Sequence, residues 1–142
     1  MRDKSRIYQT STYANEEFGK HKGYEYSRTH NLTRAALEQN IATLEKGKFG
    51  IAFSSGMAAV HSLMNLIKSG DHVVVSNDVY GGTYRLFESI MRDYGLDFSW
   101  VDSSDLNNIE NAIKPNTKLV YIETPTNPML TLTDIQGASG IC

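Results

Sequence analysis

The sequence predicts an α/β fold, with a largely parallel sheet preceded by an extended N-terminal arm. Three observations carry this. From residue 33 onward, short apolar runs alternate with stretches whose apolar residues recur at helical spacing. Two of the runs, Asp71-His-Val-Val-Val75 and Lys118-Leu-Val-Tyr-Ile122, are nearly continuous in apolar residues, as strands covered on both faces are. Residues 1–32 are polar, rich in Tyr, Gly, Lys and His, and lack periodicity, so they read as an arm or loop without a core of its own.

The elements follow in order. Thr33–Lys46 is a helix with Leu37, Ile41 and Leu44 on one face; Asn31 or Thr33 caps it and Gly47 ends it. Phe49–Phe53 has strand length and is taken as the first of four strands. Ser54–Ala59 is then a tight small-residue turn into a helix over Met57–Ser69, closed by Gly70. Asp71–Val75 is the second strand, and its C-terminal loop carries Tyr80. Thr83–Tyr94 is amphipathic through Leu86, Phe87, Ile90 and Met91, with Arg85 in its first turn and Gly95 as its stop. Leu96–Asp102 is strand-like. Asp105 caps a short helix of Leu106, Ile109 and Ile113, which ends before Pro115. Lys118–Ile122 is the fourth strand and runs into the rigid turn Glu123-Thr-Pro-Thr-Asn127-Pro128.

Composition narrows the class. The 142 residues are 40% hydrophobic and 21% charged, with a formal net charge of −2, which is globular and offers no basic excess for nucleic acid or a membrane surface. The one cysteine, Cys142, excludes a disulfide framework and fits a reducing compartment. The charged start, Met1–Arg6, is not followed by an apolar run, and no apolar stretch reaches the ~20 residues of a membrane span. A cytoplasmic setting is expected. His21, His30, His61 and His72 show no metal spacing, so no metal is expected. Glycine signatures of dinucleotide folds and phosphate-binding P-loops are missing, as is a serine-hydrolase elbow.

The strand ends concentrate what chemistry there is. The turn at Ser55, Gly56 and Met57 leaves backbone N–H groups free at a helix start, where the dipole also favours an anion. Tyr80 and the Glu123/Asn127 turn fall on the same side of the sheet. A phosphate cradle, an aromatic face and a polar amide suit a phosphorylated aromatic cofactor. In the arm, Tyr24, Tyr26 and Arg28 alternate, so an extended chain points them one way, toward a planar anion. The plainer alternative is a solvated loop.

Ile7-Tyr-Gln-Thr-Ser-Thr-Tyr13, Gly23-Tyr-Glu-Tyr-Ser-Arg28, Thr33-Arg34, Ser55-Gly-Met-Ala-Ala59, Asp78-Val-Tyr-Gly-Gly-Thr-Tyr-Arg85 and Glu123-Thr-Pro-Thr-Asn-Pro128 resemble, in order, the pyridoxal-phosphate-dependent enzymes of Cys/Met metabolism. Within that family the likeness is to the cystathionine γ-lyases and γ-synthases. It implies part of a fold-type I, aminotransferase-like large domain over 33–142, with 1–32 as arm and dimer-contact loop. It also implies a homotetramer made as a dimer of dimers, a small amino-acid substrate, and pyridoxal 5′-phosphate as cofactor. Carried over, Ser55, Gly56 and Met57 would hold the phosphate and Tyr80 would stack on the pyridine ring. Tyr26 and Arg28 would reach a neighbouring subunit's phosphate. Asn127 would lie near the ring hydroxyl, Glu123 would order its turn, and Arg85 would sit at the substrate entrance. The activity implied is that of a lyase converting cystathionine to cysteine, 2-oxobutanoate and ammonia; γ-synthase and methionine γ-lyase are the alternatives.

Two departures matter. None of Lys46, Lys48, Lys68, Lys114 or Lys118 stands in the Ser-x-Thr context of the family's Schiff-base lysine, so the chain reads as an N-terminal fragment that is inactive alone. A non-catalytic remnant that binds phosphate or pairs with a full-length subunit is the corresponding reading of another class. The tail from Gln136 to Cys142 carries no family motif, and His30-Asn-Leu32 replaces the usual Gly-Asn-Pro.

Overall fold

The computed structural model describes residues 6–142. The chain divides into two compact units, one ending at Ser54 and the other running from Ser55 to Cys142.

In the first unit the arm folds back on itself. Thr12 and Tyr26 form an antiparallel bridge, flanked by Tyr13 N–H to Glu25 O at 3.0 Å and Ser27 N–H to Ser11 O at 2.8 Å. Helix α1, Leu32–Leu44, starts where the sequence predicts, because Asn31 Oδ1 accepts the Thr33 N–H at 2.8 Å. The Asn31 amide also donates to Tyr8 O and Ser27 Oγ, which stitches the arm to the helix start. The helix is left at Lys46, whose φ is 54°, one residue before the expected stop; Gly47 N–H then closes on Ala42 O at 2.8 Å.

The expected strand at Phe49–Phe53 is not formed. Among the described residues it has no ladder partner. It lies along α1 instead: Ala52 N–H donates to Glu38 Oε1 at 3.0 Å, and Gly50 sits so close to the Glu38 carbonyl that no Cβ would fit. Phe49 and Ile51 remain 76% and 74% exposed. Apolar content alone predicted a strand, but a strand also needs a neighbour to bond.

The second unit holds the sheet: β1 (His72–Ser76), β2 (Asp97–Val101) and β3 (Thr117–Tyr121), all parallel, in the order β2-β1-β3. Alternate side chains of β1 face opposite layers. Val73 and Val75 pack with Met64, Phe87, Met91 and Phe98, which puts α2 (Gly56–Met64) and α3 (Gly81–Leu86) on one face. Val74 packs with Ile109 and Ala138, which puts α4 (Leu106–Ala112) and α5 (Ile135–Ile141) on the other. Phe87 centres the first layer, fully buried, stacked on Phe98 at 5.0 Å and edge-on to Tyr121 at 5.4 Å. Beyond Leu86 the predicted single helix continues as a π-helical turn over Phe87–Met91, in which Arg92 N–H reaches back to Phe87 O at 3.0 Å. Asp105 caps α4 as predicted. The tail from Gln136 forms most of α5, capped by Asp134 through the Gly137 N–H at 3.0 Å.

Candidate functional site

The strand ends of the second unit frame an open cleft of about 480 Å³, lined by Ser55, Gly56, Met57, Val60, Tyr80, Thr83, Tyr121 and Glu123. A somewhat larger hollow lies at the opposite ends of the strands, lined by Asn65, Leu66, Lys68, Asp71 and Lys118 among others, and holds none of the site residues singled out from the sequence.

One wall is the start of α2. Ser55 is its N-cap: its Oγ accepts the Ala58 N–H at 3.2 Å and its carbonyl accepts the Ala59 N–H. The N–H groups of Gly56 and Met57 come first in the helix and have no intrahelical partner. A Cβ on Gly56 would meet nothing within 4 Å, so the approach to these donors is open. Free donors and a helix N-terminus make an anion cradle.

The second wall is Tyr80, the residue before α3. Its side chain is 51% exposed. Its position is fixed from β3. Glu123 Oε2 accepts the Tyr80 N–H at 2.7 Å, and Oε1 accepts from Thr83 Oγ1 at 3.0 Å and Tyr121 OH at 2.9 Å. One carboxylate thus ties the loop after β1 to the end of β3. Burial first, then the bond to Glu123 against an opposing one from Thr83, pushes the Tyr121 phenol up to about 12, so it keeps its proton throughout the neutral range. A Cβ on Gly82 would fall 2.5 Å from Tyr80 Cε1 and 3.1 Å from Met57 Sδ, so the glycine leaves room for the ring beside α2.

The turn after Glu123 is anchored to the same loop. Thr126, itself buried, donates to Asp78 Oδ2 at 2.6 Å, and Thr126 Oγ1 accepts the Thr131 N–H at 2.9 Å. Both Thr124-Pro125 and Asn127-Pro128 are cis. A buried hydroxyl chain, Ser76 to Ser103 to Thr133, links the ends of β1 and β2 to the far side of this turn.

Of the residues singled out in the sequence, Ser55, Gly56, Met57, Tyr80 and Glu123 meet in the cleft. Asn127 and Arg85 do not line it; Asn127 is exposed in its turn, and exposed Arg85 leans back toward Gly81 along α3. In the first unit, Tyr26 and Arg28 do come together: the guanidinium lies over the ring at 5.0 Å and donates to the phenol oxygen at 3.4 Å. The backbone there is a turn and not the extended chain expected. Tyr26 O accepts from Thr29 N–H, His30 N–H and Thr29 Oγ1, and Tyr24 turns aside to pack with Tyr13 and His30. Gly82, Thr83 and Tyr121 were missed from sequence. Tyr121 had a readable signal: two residues before Glu123 in a strand, it points to the same face.

A helix start with unpaired N–H groups, an aromatic wall and a clamped carboxylate thus meet at the C-terminal strand ends of a parallel α/β sheet, where such sheets gather ligands. The sequence model of the Cys/Met metabolism PLP-dependent enzyme family matches residues 2–142, and the chain belongs to that family. The matched range includes the tail from Gln136 that the motifs did not cover. The chain is 55% identical to cystathionine γ-lyase of Bacillus subtilis (strain 168), over 91% of this chain and 34% of that protein. It is 54% identical to a probable cystathionine γ-synthase of Herpetosiphon aurantiacus, over 95% of this chain and 42% of that one. The crystal structure of cystathionine γ-lyase from Lactobacillus plantarum in complex with L-serine superposes with a TM-score of 0.88 at 49% identity, covering 96% of this chain and 35% of that one. The fold is thus part of the fold-type I domain expected. The chain spans between about a third and two-fifths of these relatives' length.

Proposed function

We propose that this chain forms the cofactor-phosphate side of a pyridoxal-phosphate-dependent trans-sulfuration enzyme, a cystathionine γ-lyase acting on a small amino-acid substrate. The observation that supports it is the cleft: open N–H donors of Gly56 and Met57 facing the same space as the Tyr80 ring. The residues fit the group. Gly56 and Met57 would take the phosphate on their N–H groups, with the α2 dipole behind them. Tyr80 would offer its ring face to the pyridine, while Glu123 holds the Tyr80 backbone in place. Tyr121 keeps its proton and serves as a donor to Glu123, so it does not act as a base at neutral pH. Bound there, the cofactor supplies an electron sink for bond cleavage at the amino-acid substrate.

The family resemblance adds Asn127 near the ring hydroxyl, Arg85 at the substrate entrance, and Tyr26 with Arg28 for the phosphate held by a neighbouring subunit. It also underlies the reading as a homotetramer in the cytoplasm. No helix among the described residues is long and apolar enough to cross a membrane. The γ-synthase reading rests on a relative of nearly equal identity and differs in product, since an activated homoserine ester would then accept cysteine.

The test is titration of the 142-residue chain with pyridoxal phosphate, followed by borohydride trapping and an assay for 2-oxobutanoate from cystathionine. Saturable binding that inorganic phosphate competes away is expected, without one defined trapped lysine and without product. Absence of binding would overturn the assignment of the cleft. A single trapped lysine with product release would overturn the reading that the catalytic amine lies outside this chain.

A further inference from the structure

We infer that Gly82 is a positioning residue: its missing side chain sets the plane of the Tyr80 ring, so it tunes how the cleft takes a planar ligand. This rests on the assignment of the cleft given above. Gly82 lies inside α3, and its φ is not in the left-handed region that would require glycine. On helix propensity alone, alanine would serve better there. What alanine would meet is the ring. A Cβ would come 2.5 Å from Tyr80 Cε1 and 3.0 Å from Cδ1, with Met57 Sδ at 3.1 Å behind them, against an ordinary carbon contact of ~3.5–4 Å.

The ring cannot answer by a shift of its loop. Its backbone N–H is held by Glu123 at 2.7 Å, and the same carboxylate is held by Thr83 and Tyr121. The ring must therefore turn about its own side-chain bonds. Met57 Sδ takes up part of the same space, and Tyr80 lines the open cleft, so we take the cleft as the direction of the turn. Turning that way brings an edge into the space where a stacked ligand ring would lie. Gly81 supplies the control. It occupies the preceding position of the same helix, and a Cβ there meets only the mobile end of Arg85 at 3.4 Å.

The experiment compares Gly82→Ala, Gly81→Ala and Tyr80→Leu, singly and as the Gly82→Ala/Tyr80→Leu pair. The first readout needs no ligand: nuclear Overhauser contacts from the Tyr80 ring to residue 82 and the Met57 methyl. Gly82→Ala should lose the wild-type pattern and Gly81→Ala should keep it. The second readout is pyridoxal phosphate affinity, with inorganic phosphate as a companion ligand. Gly82→Ala should weaken the first about threefold to tenfold, the scale of one aromatic pair, and leave phosphate unchanged. In the Tyr80→Leu background Gly82→Ala should have no further effect. Unchanged ring contacts in Gly82→Ala, or an equal loss in the leucine background, would overturn the inference. If the wild type fails to bind pyridoxal phosphate, the cleft assignment falls, and the ring contacts still decide the role of Gly82.

Discussion

Glu123→Ala is the sharpest perturbation of the site's framework, and its cost can be worked from the contacts. The carboxylate accepts from Tyr80 N–H at 2.7 Å, Thr83 Oγ1 at 3.0 Å and Tyr121 OH at 2.9 Å. Thr83 is fully buried, and burial already dominates the environment of Tyr121, so water cannot readily replace the acceptor at either hydroxyl. A hydrogen bond to a charged group contributes roughly 1.5–3 kcal/mol, and a neutral donor left unsatisfied in the interior costs about 1–3 kcal/mol. Tyr80 lies at the exposed mouth, so its N–H can turn to water and adds little. The two hydroxyls together then give about 3 kcal/mol, a large fraction of the roughly 5–15 kcal/mol that holds a domain together. Glu123→Gln should cost less, about 1 kcal/mol, because Thr83 and Tyr121 hydroxyls can each turn to accept from the new amide while its oxygen keeps the Tyr80 N–H. The assay is urea unfolding followed by fluorescence of Trp100, the one tryptophan in the chain, which packs against Phe87 in the same layer. Tyr121→Phe and the double substitution complete a cycle, with a coupling above about 0.5 kcal/mol expected. A Glu123→Ala chain within about 0.5 kcal/mol of wild type, with no coupling to Tyr121, would refute the clamp as a structural unit.

Further outcomes follow from other contacts. Tyr121, pushed up to about 12, should give an ionisation step above the ordinary tyrosine range in an absorbance titration, and Tyr121→Phe should remove that step. Because its folded value lies above the ordinary tyrosine range, its contribution to stability is complete below pH ~10 and is lost as pH rises through the folded value. His72 behaves with the opposite sign. Burial and then Lys114 hold its imidazole below the ordinary histidine range, with Asp97 opposing, while Thr117 and Ser99 bond its two ring nitrogens. The folded state therefore binds the proton less readily than the unfolded chain, and urea midpoints should fall as pH drops below ~6.5. Lys114→Ala should flatten that dependence. Phe87→Ala, at the fully buried centre of its layer, should cost roughly 3–5 kcal/mol and be seen as loss of a cooperative unfolding transition. Asp105→Ala removes the acceptor of the Asn107 N–H at 2.9 Å and should cost about 1 kcal/mol in the same urea assay, with Asp105→Asn near wild type.

What the sequence made legible was local. Asp105 was read as a cap, and Asn31 as one of two candidates with Thr33, because a short polar side chain before a helical stretch has one good use. The valines of β1 could only be buried on both faces, and they are. The failures share a cause: each depended on a partner distant in the chain. Phe49–Phe53 had the composition of a strand, yet what it bonds is Glu38 on α1. The π-helical turn at Phe87–Met91 follows no residue signal; it accompanies the burial of both Phe87 and Met91 in one layer. Glu123 was read only as ordering its own turn, and its bonds to Tyr80 and Thr83, 43 and 40 positions earlier, had no signal in the sequence.

The same long-range contacts explain how a short helix can hold one wall of the cleft still. α3 has only six residues, too few to be stable by propensity alone. At its start the Glu123 carboxylate fixes Tyr80 and Thr83. Beyond its end the π-helical turn continues it into the core, and Glu88 there accepts from the Arg92 guanidinium and from the Trp100 indole N–H on β2. The bond to Arg92 holds the Glu88 carboxyl below the usual range, and Arg92 in turn donates to Phe98 O. Exposed ion pairs contribute little by themselves. Here the pair joins α3's continuation to β2, while Glu123 joins α3's beginning to β3, with β1 lying between those two strands. The helix is thus braced against both outer strands, and Tyr80 sits at its braced end. Cutting the distal brace with Glu88→Ala should therefore lower the urea midpoint while leaving the Tyr80 ring contacts in place. Cutting the proximal one with Glu123→Ala should disturb both. Equal effects of the two substitutions on the Tyr80 ring would mean that α3 moves as a rigid rod, and that its start is not held independently.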